Sequence, residues 1–526
     1  MAHLPPAPCA QGVNSKTFTP PPHSLTVPEI CDWHYKHSPL HPLYKHVDEA
    51  SDEVTTVFWR TAVQGIYHIS DFVIQSVQAS KVSETRPTIG LCSTSGYSVF
   101  LMSPFASPAA LKHLVKISGV PMILTNTEDL NLHSKLTSAV ADVRRSNPSV
   151  QTVITSQLSW SQLFSGQIGP EDGPGPMVAQ YDLESSWYGE IDICGEIMSA
   201  ASVPMAGAAG TMLALFPASS GLILSGLKPQ SPPNRPNPAN VWKAIITTKS
   251  TYAFILQPFI YMFSEDLEKR KILAQLKGVV FGGGPLRKPV GDLLAHEGAN
   301  LLNFYGSSES GLMCNVFTDN HGEDWEFFSF YSLVNAELIP QENSDLFEVV
   351  IKTGPFHKPT QTNTVHDDVP AFASKDLLLP HPEKPGFWKF VCRIDDQITI
   401  SLGMKGIKIN AVAFEVILAS DPLIRGAVIF SNWPTFGVII DPAPEYVATS
   451  DLSHPQEAAK LKSLIWPTIE RFNEVVPDVA KLKKEIILFS TVDKPIVYGE
   501  KGLPRRKETI DTYVAEIEAT VGPWSR

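Results

Sequence analysis

Residues 281–311 read FGGGPLRKPVGDLLAHEGANLLNFYGSSESG, and this stretch decides the fold predicted for the chain. Two apolar runs, Gly278–Phe281 and Leu301–Phe304, each end in a turn of small residues. Between them, the pattern from Val290 to His296 predicts a short helix. The stretch is therefore a strand–turn–helix–strand–turn unit. Its two turns fall at strand ends, where open α/β sheets bind ligands.

The two turns carry the residues on which a functional prediction rests. The first turn is Gly282-Gly283-Gly284-Pro285, and the second is Tyr305-Gly306-Ser307-Ser308-Glu309. Glycines let a backbone approach a flat ligand closely. The second turn adds an aromatic ring, two hydroxyl groups and a carboxylate. Adenine, phosphate and a metal ion would suit this set.

Length and composition describe an ordinary globular chain of more than one domain. A chain of 526 residues is too long for one compact core. Its 43% hydrophobic and 18% charged residues describe an ordinary soluble globular protein. A net charge of -12 argues against a nucleic-acid partner, because phosphate binding needs a basic face.

Cysteine usage and hydropathy predict a cytoplasmic protein without a membrane partner. The six cysteines have no metal-type spacing and are interpreted as reduced thiols. The N-terminus has no apolar core segment and cannot be a secretory signal. The uncharged stretch Ile197–Leu227 is long enough to span a bilayer. Because Pro204, Pro217 and several glycines interrupt it, a buried strand–helix segment is expected instead.

Around residues 281–311, strands alternate with helices, which predicts an α/β fold with a mainly parallel sheet. Residues 1–23 form a proline-rich arm that we expect to be extended or disordered. The predicted helices are Leu25–His34, Ala62–Ala79, Pro108–Ser118 and Val241–Lys249. The predicted strands are Val54–Trp59, Thr88–Cys92, Met122–Thr125, Ala253–Gln257, Trp325–Leu333, Phe347–Lys352 and Phe387–Ile400.

A smaller C-terminal unit is predicted to be α+β. Its strands lie near Ile407–Ile409, Ala427–Phe430 and Glu485–Phe489, and its helices are Ala413–Ala419, Pro455–Val475 and Lys507–Glu518. Outside this unit, a group of histidines near the N-terminus has no regular ligand spacing. We interpret these side chains as solvent-exposed and not metal-binding; they are His34, His37, His41 and His46.

Five motifs, in this order along the chain, resemble the adenylate-forming (AMP-binding) superfamily. The resemblance is closest to adenylation domains of fungal NRPS-like adenylate-forming reductases and runs from about Phe18 to Glu518. The motifs are FGGGPL (281–286), NFYGSSESG (303–311), FASKDL (372–377), FVCRIDDQITIS (390–401) and EKGLPRRKETIDTY (500–513). The resemblance implies a large N-terminal adenylation domain, residues 24–395, with mainly parallel sheets wrapped by helices. A small mobile α+β domain, residues 396–526, would follow.

The resemblance also implies roles for residues of the two turns. The residues that would enclose adenine are Gly282, Gly283, Gly284, Asn303, Phe304, Tyr305 and Gly306. The Tyr305 ring would offer a stacking face. Ser307 and Ser308 would belong to the cofactor-binding turn, with Ser308 bonding a phosphate oxygen. Glu309 would hold Mg²⁺, a hard cation that prefers oxygen ligands.

Further roles implied by the resemblance fall on later motifs. Asp376 would accept hydrogen bonds from the ribose hydroxyls, and Arg393 would reach ribose or phosphate with its planar guanidinium. Asp395 or Asp396 would lie where the small domain swivels. Lys501 matches the tip-loop lysine of the family approximately. Together with Glu309 and Arg393, Lys501 would form the catalytic set.

The implied reaction activates a small aryl, keto or amino carboxylic acid in secondary metabolism. The substrate carboxylate would attack the α-phosphorus of ATP and give acyl-AMP and pyrophosphate. ATP or AMP and Mg²⁺ are the implied cofactors. Because the chain stops at Arg526, where the family usually continues into a carrier domain, the acyl group is expected to pass to a separate acceptor. That acceptor would be a phosphopantetheine carrier, CoA or a partner reductase.

Three stretches depart from the family pattern, all on the triphosphate and carboxylate side. The family's Ser/Thr/Gly-rich phosphate loop ending in Pro-Lys has no counterpart in residues 167–187, where GPEDGPGP is acidic. A short segment is missing between Tyr97 and Phe100. Gly207 stands where the Phe-His-x-x-Gly stretch of the family has its histidine.

These features leave three functions open. The first is a stand-alone adenylation-domain protein that depends on ATP and Mg²⁺. The second is a catalytically impaired homologue that binds AMP, adenosine or a partner without turnover. The third is an acyl-CoA ligase, which CoA-dependent release of AMP would distinguish from carrier loading.

Overall fold

The computed structural model divides the chain into two compact units. The first unit comprises Met1–Ala336, Ile351–Phe372 and His381–Trp388, and the second comprises Glu337–Val350, Ala373–Pro380 and Lys389–Arg526. The residues that the structure describes are 17–22, 25, 27–79, 88–89, 98–99, 122–126, 141, 145, 151–155, 193–204, 207–229, 234–319, 321–341, 344–402, 405–432, 435–447, 452, 454–476, 478–498 and 504–521. The predicted helix Pro108–Ser118, the stretch 167–187 and Lys501 lie outside these residues, as do Tyr97 and Phe100.

The first unit alternates strands and helices, as predicted. Its helices are α1 Val27–His37, α2 Trp59–Ala79, α3 Ala208–Ser220, α4 Pro238–Thr247, α5 Gln257–Ser264, α6 Leu267–Leu273 and α7 Lys288–His296. Its strands are β1 Pro42–Val47, β2 Val54–Phe58, β3 Thr88–Ile89, β4 Ser98–Val99, β5 Met122–Asn126, β6 Gln151–Thr155, β7 Ile197–Ser199, β8 Ile223–Leu227, β9 Tyr252–Phe254, β10 Gly278–Gly282, β11 Leu301–Phe304, β12 Gly306–Ser307, β13 Gly311–Leu312 and β14 Phe327–Ser329.

The main sheet of the first unit is seven-stranded within the described residues, with the order β11-β10-β9-β7-β8-β1-β2. All neighbouring strands are parallel except β1 and β2. A second sheet, β4-β3-β5-β6, is parallel throughout. The predicted mainly parallel α/β fold is therefore confirmed.

The uncharged stretch 197–227 folds as β7, α3 and β8, which confirms the predicted strand–helix segment. Both strands lie inside the main sheet, and Met198 and Ile223 are fully buried. Among the described helices, none is long and apolar enough to cross a membrane. Of the cysteines in the described residues, Cys31, Cys194, Cys314 and Cys392 form no disulfide.

One hydrophobic core joins the main sheet to the helices that follow its strands. Apolar residues of α4, α5 and α7 pack on Val279 and Phe281 of β10 and on Leu301 of β11. Trp325 closes this core and is 2% exposed. Gly291 of α7 admits the Trp325 ring, because a Cβ at that position would overlap the indole. The same ring donates from Nε1 to Asp292 Oδ1 at 3.1 Å.

The interpretation of the N-terminal histidines as solvent-exposed is wrong for three of the four. His34 and His41 are 0% exposed and His46 is 4% exposed, whereas His37 lies at the surface. The His34 ring stacks between Phe18, at 5.1 Å, and Trp59, at 4.4 Å. A hydrogen bond of 2.7 Å joins its Nε2 to the Ala218 carbonyl oxygen. Aromatic packing over long sequence separations therefore buries this imidazole.

The end of the proline-rich arm is also ordered by these contacts. Phe18 is 7% exposed and packs on the rings of His34 and His41. The Thr19 N–H donates to Ser38 Oγ at 2.9 Å, and the Trp33 indole donates to the Thr19 carbonyl oxygen at 3.1 Å. Phe18 and Thr19 thus pack against α1 and the residues that follow it, so this end of the arm is not disordered.

The second unit is α+β, as predicted. It contains the hairpin of β20 Gln397–Leu402 and β21 Lys405–Asn410 and a sheet in the order β22-β23-β24. The bounds are β22 Ile424–Asn432, β23 Thr435–Pro442 and β24 Ile487–Phe489, with helices α8 Ala411–Leu418, α9 Pro444–Val447, α10 Pro455–Leu464, α11 Trp466–Val475 and α12 Arg506–Val521.

The single helix predicted over Pro455–Val475 is two helices. The chain breaks at Ile465 because Pro467 lacks the N–H that a continuous helix needs and instead suits a first turn.

A further sheet of the described residues is six-stranded. Its order is β14-β19-β18-β16-β15, with β17 paired to β18. The bounds are β15 Ala336–Pro340, β16 Phe347–Lys352, β17 Thr364–His366, β18 Val369–Pro380 and β19 Phe387–Arg393. The strand predicted over Phe387–Ile400 is interrupted by a 3₁₀ turn, Ile394–Asp396, and resumes as β20. The strand predicted over Trp325–Leu333 is shorter than expected, and only β14 forms there.

A buried ion pair attaches α12 to the rest of the second unit. Arg506 Nη1 lies 2.5 Å from Glu415 Oε1, and Nη2 lies 2.9 Å from Oε2. The two side chains are 14% and 11% exposed. The Ile429 N–H donates to Glu415 Oε1 at 2.7 Å, and Arg506 Nη1 donates to the Ile429 carbonyl oxygen at 2.8 Å. The pair therefore holds α8, α12 and strand β22 together.

Acidification should destabilise the fold through His34. Burial lowers the pKa of His34 to about 4, against a partly opposing hydrogen bond to Ala218. Between about pH 6.5 and pH 4 the unfolded chain therefore binds more protons, so stability is full above this window and is lost as pH falls through it. A shift of this size corresponds to about 3 kcal/mol. Urea unfolding of the full chain across this window should show the loss in the wild type and a smaller loss in His34→Phe.

His37→Phe is the matched control, because His37 is exposed and has the smallest of the influences on the pKa of His34. The loss of stability on acidification should stay close to that of the wild type in this variant. Equal slopes for the wild type and His34→Phe would show that another group causes the acid sensitivity.

Glu415→Ala should be strongly destabilising, because it leaves the buried Arg506 guanidinium without its carboxylate. Breaking a buried pair in this way costs about 3–5 kcal/mol. The double variant Glu415→Leu/Arg506→Met should lose less, since no charge is left unpaired. Asp511→Ala, which breaks an exposed pair with Lys507, is the control and should cost far less. Urea unfolding measures all four proteins, and equal losses for Glu415→Ala and Asp511→Ala would refute the role of the buried pair.

Candidate functional site

The two turns that the sequence singles out lie at one edge of the main sheet. Strands β10 and β11 are adjacent and parallel, with Gly282 in register with Phe304. Strand β9 pairs in parallel with β10 and ends at Phe254, just before Gln257. The three neighbouring strands β9, β10 and β11 thus end at the same carboxyl edge of the sheet. This confirms that both turns lie at strand ends.

The glycine turn needs residues without side chains. Gly283 has φ +82°, a left-handed conformation that glycine adopts without strain. A Cβ on Gly282 would lie 2.7 Å from the Phe304 carbonyl oxygen, which is main chain and cannot yield. Any side chain at Gly282 would therefore push β10 and β11 apart at their ends.

Gln257 holds the glycine turn in place. Its Nε2 donates to the Gly282 carbonyl oxygen at 2.9 Å and also to the Gly284 carbonyl oxygen. The sequence predicted a strand that ends at Gln257, and this prediction is wrong. Strand β9 ends at Phe254, and Gln257 begins α5, with Pro258 in the first turn of that helix. A Gln-Pro pair after a short buried strand is a helix-start signal that could have identified this residue.

Tyr305 is fixed through both its backbone and its ring. Its N–H donates to Cys314 Sγ at 3.1 Å, and the Cys314 thiol donates to the Asn303 carbonyl oxygen at 3.3 Å. Burial raises the pKa of Cys314 to about 12, so the thiol keeps the proton that it donates. The half-buried Tyr305 ring stacks on Phe328 at 4.5 Å and 25°, with Phe330 at its edge. The plane of the Tyr305 ring is therefore set by packing within the chain itself.

After Tyr305 the chain forms a tight hairpin. Strands β12 and β13 pair antiparallel, and Gly306 has no space for a Cβ because the Gly311 carbonyl oxygen lies against it. Ser307 Oγ lies 2.9 Å from Ser310 Oγ and accepts from the Ser310 N–H at 3.1 Å. At the tip, Ser308 is exposed and Glu309 is half-buried. A hydroxyl group and a carboxylate therefore stand together at the end of the hairpin.

Three predicted adenine- or phosphate-side residues have side chains already engaged in the fold. Asn303 Nδ2 donates to the Trp325 carbonyl oxygen at 2.8 Å. The Phe304 ring is 7% exposed and packs on Phe254 at 4.9 Å. Ser307 bonds Ser310. These residues can offer a ligand their backbone groups, whereas Tyr305, Ser308 and Glu309 present side chains at the sheet edge.

Glu309 has the chemistry that a magnesium ion requires. In the described part of the chain, its carboxylate has no hydrogen-bond or ion-pair partner. Its oxygens are hard donors, the type that Mg²⁺ prefers. The residues present therefore fit the implied metal in donor type.

The other predicted site residues lie in the second unit, described here by itself. Arg393 Nε lies 2.9 Å from Asp395 Oδ1 and Nη2 lies 3.2 Å from Oδ2, a two-point ion pair. Arg393 Nη1 is 3.5 Å from Asp376 Oδ1. Ser374 Oγ accepts from the Asp376 N–H at 3.0 Å and donates to the Val349 carbonyl oxygen at 2.9 Å. Strand β18 thus presents Asp376 next to the arginine.

Two further features set the electrostatics of this cluster. Partial burial raises the pKa of Asp395, but the hydrogen bonds and charge of Arg393 and the charge of Lys375 outweigh it and hold the pKa below its ordinary value. Lys375 has φ +65°, which is uncommon for a residue with a side chain. Its Nζ lies 3.6 Å from Asp395 Oδ2. The Asp396 side chain is outside the described residues.

Lys501 also lies outside the described residues, but the chain on both sides of it is placed. Tyr498 and Pro504 form an antiparallel bridge that brackets residues 499–503. Tyr498 is held by its hydroxyl, which donates to Asp441 Oδ2 at 2.7 Å. In the first unit, Gly207 precedes α3 as its N-cap residue, so the position where a histidine was expected has no side chain.

Comparisons with known proteins agree with the predicted fold and family resemblance. Residues 395–521 match the family model described as AMP-binding enzyme C-terminal domain. The chain is 32% identical to adenylate-forming reductase Nps10 of Heterobasidion annosum, over 98% of this chain and 51% of that protein. It is 23% identical to adenylate-forming reductase Nps9 of Serpula lacrymans, over 96% of this chain and 50% of that protein. The chain thus spans about half the length of these curated relatives.

Solved structures show the same fold at low sequence identity. The A domain of carboxylic acid reductase from Segniliparus rugosus, in complex with AMP and a co-purified carboxylic acid, superposes with a TM-score of 0.63 at 13% identity, over 94% of this chain and 93% of that chain. The adenylation domain of the carboxylate reductase from Mycobacterium chelonae gives a TM-score of 0.63 at 14% identity, over 97% and 94% of the two chains. The chain has the adenylate-forming fold.

Gln257→Leu should loosen the glycine turn, because the carbonyl groups of Gly282 and Gly284 lose their side-chain donor. Leaving such groups unsatisfied costs about 1–3 kcal/mol. Urea unfolding should show this loss, and amide hydrogen exchange should accelerate in residues 281–287. Gln275→Leu is the matched control, because Gln275 is exposed and has no side-chain hydrogen bond in the described residues. If both variants exchange alike in this segment, Gln257 does not fix the turn.

Proposed function

We propose that this chain, which has the adenylate-forming fold and an AMP-binding enzyme C-terminal segment at residues 395–521, activates a small carboxylic acid with ATP. The observation that carries the proposal is the in-register ending of β10 and β11, which brings the glycine turn, Tyr305 and Glu309 to one sheet edge. The relatives support it, because Nps10 and Nps9 are adenylate-forming reductases. The solved A domain of similar fold holds AMP and a carboxylic acid.

Adenine would bind between the glycine turn and Tyr305. The turn has no side chains to keep a flat base away from its backbone. The Tyr305 ring is already held in a fixed plane by Phe328, so stacking would cost little further ordering. Gln257 would contribute by keeping the turn in shape and would not need to touch the ligand.

The hairpin tip would receive the phosphates. The exposed Ser308 hydroxyl can donate to a phosphate oxygen, and the Glu309 carboxylate would hold Mg²⁺. When bound, Mg²⁺ neutralises charge on the triphosphate and on the departing pyrophosphate. In the proposed reaction a carboxylate oxygen of the acid bonds to the α-phosphorus, and the bond from that phosphorus to the bridging oxygen breaks. Acyl-AMP and pyrophosphate are the products.

The roles of the second-unit residues are proposed on the resemblance. Asp376 would accept from ribose hydroxyls, and Arg393 would donate to ribose or phosphate. Asp395 would belong to the hinge at the 3₁₀ turn Ile394–Asp396, with the small domain beginning at residue 396. Lys501 would approach the α-phosphate. The acceptor of the acyl group would be a phosphopantetheine carrier, CoA or a partner reductase.

A second candidate is a homologue that binds nucleotide without turnover. Gly207 at the start of α3 favours it, because the side chain expected at this position is missing. The acidic composition of GPEDGPGP, residues 169–176, points the same way, since it offers no cation to a triphosphate. Both departures concern the part of the proposed site that would bind the triphosphate and the substrate carboxylate. The glycine turn and Tyr305, proposed to bind adenine, do not depart from the family pattern.

Pyrophosphate exchange with a panel of aryl, keto and amino acids separates the two candidates. Activation predicts exchange that depends on one class of acid and on Mg²⁺. The second candidate predicts AMP binding by calorimetry without exchange for any acid. A wild-type chain that neither binds AMP nor exchanges pyrophosphate would refute both.

Tyr305→Ala should weaken AMP binding by about tenfold, the loss expected for one aromatic stacking contact. Tyr305→Phe keeps the ring and its packing on Phe328 and is the matched control, with affinity close to the wild type. Calorimetric titration with AMP measures the affinity of all three proteins. If Tyr305→Ala binds AMP as well as Tyr305→Phe does, the ring is not the adenine platform.

A further inference from the structure

We propose that Thr360, in the loop between β16 and β17, is a positioning residue that fixes the hairpin tip carrying Ser308 and Glu309. The inference rests on the proposed function only in the metal role of Glu309. Thr360 belongs to none of the five motifs that indicate the fold.

The hairpin needs support from outside, because its own strands are short. β12 and β13 contain two residues each. An isolated two-stranded hairpin is marginal in water even at greater length. The Ser307–Ser310 bond ties the hairpin across its width but leaves the carbonyl groups of the tip without partners inside it.

Thr360 donates to both carbonyl groups at the tip. Its N–H donates to the Glu309 carbonyl oxygen at 2.7 Å. Its hydroxyl lies 3.1 Å from the Glu309 carbonyl oxygen and 3.2 Å from the Ser308 carbonyl oxygen, so one proton is shared between them. The peptide that carries the Glu309 side chain is therefore held from the opposite loop by both polar groups of one residue.

The loop that delivers Thr360 is itself anchored. The Thr353 N–H donates to the Pro370 carbonyl oxygen at 2.9 Å, and the Asn363 N–H donates to the Ala371 carbonyl oxygen at 3.0 Å. Inside the loop, the Gly354 N–H donates to the His357 carbonyl oxygen at 2.8 Å. Pro359, directly before Thr360, is buried. Thr360 is thus held on a fixed support and not on a free loop.

His357 contacts the same hairpin from the same loop. His357 is hydrogen-bonded to the Ser310 backbone. Its Nε2 also lies close to Gly311, since a Cβ built on that glycine would be 3.7 Å from this nitrogen. Its Nδ1 is buried and has no hydrogen-bond partner within the described residues. Burial lowers the pKa of His357 below its ordinary value. The ring thus supports the hairpin backbone from the same loop that carries Thr360.

The backbone of the hairpin tip and the Glu309 side chain therefore have different roles. Thr360 and His357 hold the backbone of residues 308–311, whereas the Glu309 carboxylate is left without a partner among the described residues. A ligand that needs this carboxylate at a fixed position would benefit from both features. Outer-shell residues of this kind commonly change metal affinity when they are altered.

The test compares Thr360→Val, Thr360→Ser and Thr362→Val in the full chain. Thr360→Val loses the hydroxyl bonds but keeps the backbone bond, and Thr360→Ser keeps both. Thr362→Val is the matched control, because Thr362 is exposed and has no hydrogen bond in the described residues. Amide hydrogen exchange of residues 306–312 reads the hairpin without any ligand. Calorimetric binding of ATP at varied Mg²⁺ concentration reads the metal dependence.

Thr360→Val should accelerate exchange in the hairpin by about tenfold, since its opening becomes easier. It should also raise the Mg²⁺ concentration for half-maximal ATP binding by about tenfold. AMP binding without Mg²⁺ should stay close to the wild type, and Thr360→Ser and Thr362→Val should match the wild type in all three measurements.

Different outcomes overturn the inference and the proposed function. Wild-type ATP binding that ignores Mg²⁺ would refute the metal role of Glu309, even if exchange in the hairpin responds to Thr360→Val. Mg²⁺-dependent binding that is the same in Thr360→Val and Thr362→Val would refute the positioning role alone. Equal losses of AMP binding and Mg²⁺ response in Thr360→Val would also refute it, because they indicate a general structural defect.

Discussion

The register of β10 against β11 is the constraint on which the candidate site depends. Gly282 faces Phe304 across the pair, so the chain leaves both strands at the same height of the sheet. Burial enforces this register, because Phe281 and Leu301 lie in the core with the helices and Phe304 packs on Phe254. A slip by one residue would exchange the two faces of the strand and turn apolar side chains away from their cores. The positions of the glycine turn and of Tyr305 are thus consequences of core packing.

Polar side chains from outside the motifs then convert these strand ends into a fixed surface. Gln257 binds the carbonyl groups of the glycine turn, Cys314 bridges the backbone of Asn303 and Tyr305, and Thr360 binds the carbonyl groups of the hairpin tip. Each turn would otherwise leave backbone groups without partners at a partly buried edge, which is costly. Tyr305, Ser308 and Glu309 can vary little in position, because the backbone groups around them are already hydrogen-bonded.

Much of the fold could be predicted because its signals are local. The apolar runs and glycine-rich turns of residues 278–311 sit next to each other in sequence, and so do the alternating strands and helices of the C-terminal unit. The failures involve contacts between distant residues. His34 is buried by Phe18 and Trp59, and Gln257 acts on a turn some 25 positions later. Thr360 lies in a polar loop with no local pattern, and only the folded chain brings it to residue 309.

Glu309 and Arg393 are the two charged residues proposed to bind a ligand, and they differ in the interactions that binding would have to break. The Glu309 carboxylate has no partner in the described part of the chain, so a cation can bind it without breaking an existing interaction. Arg393 is already paired at two points with Asp395, whose lowered pKa keeps it ionised at neutral pH. That pair is largely exposed, and exposed pairs contribute little stability, so a phosphate of higher charge could displace Asp395 at small cost. Asp395 would then be released from Arg393 within the turn that joins β19 to β20. A nucleotide bound at Arg393, as proposed above, would thus break the Arg393–Asp395 ion pair at the 3₁₀ turn Ile394–Asp396. The family resemblance identifies this turn as the hinge.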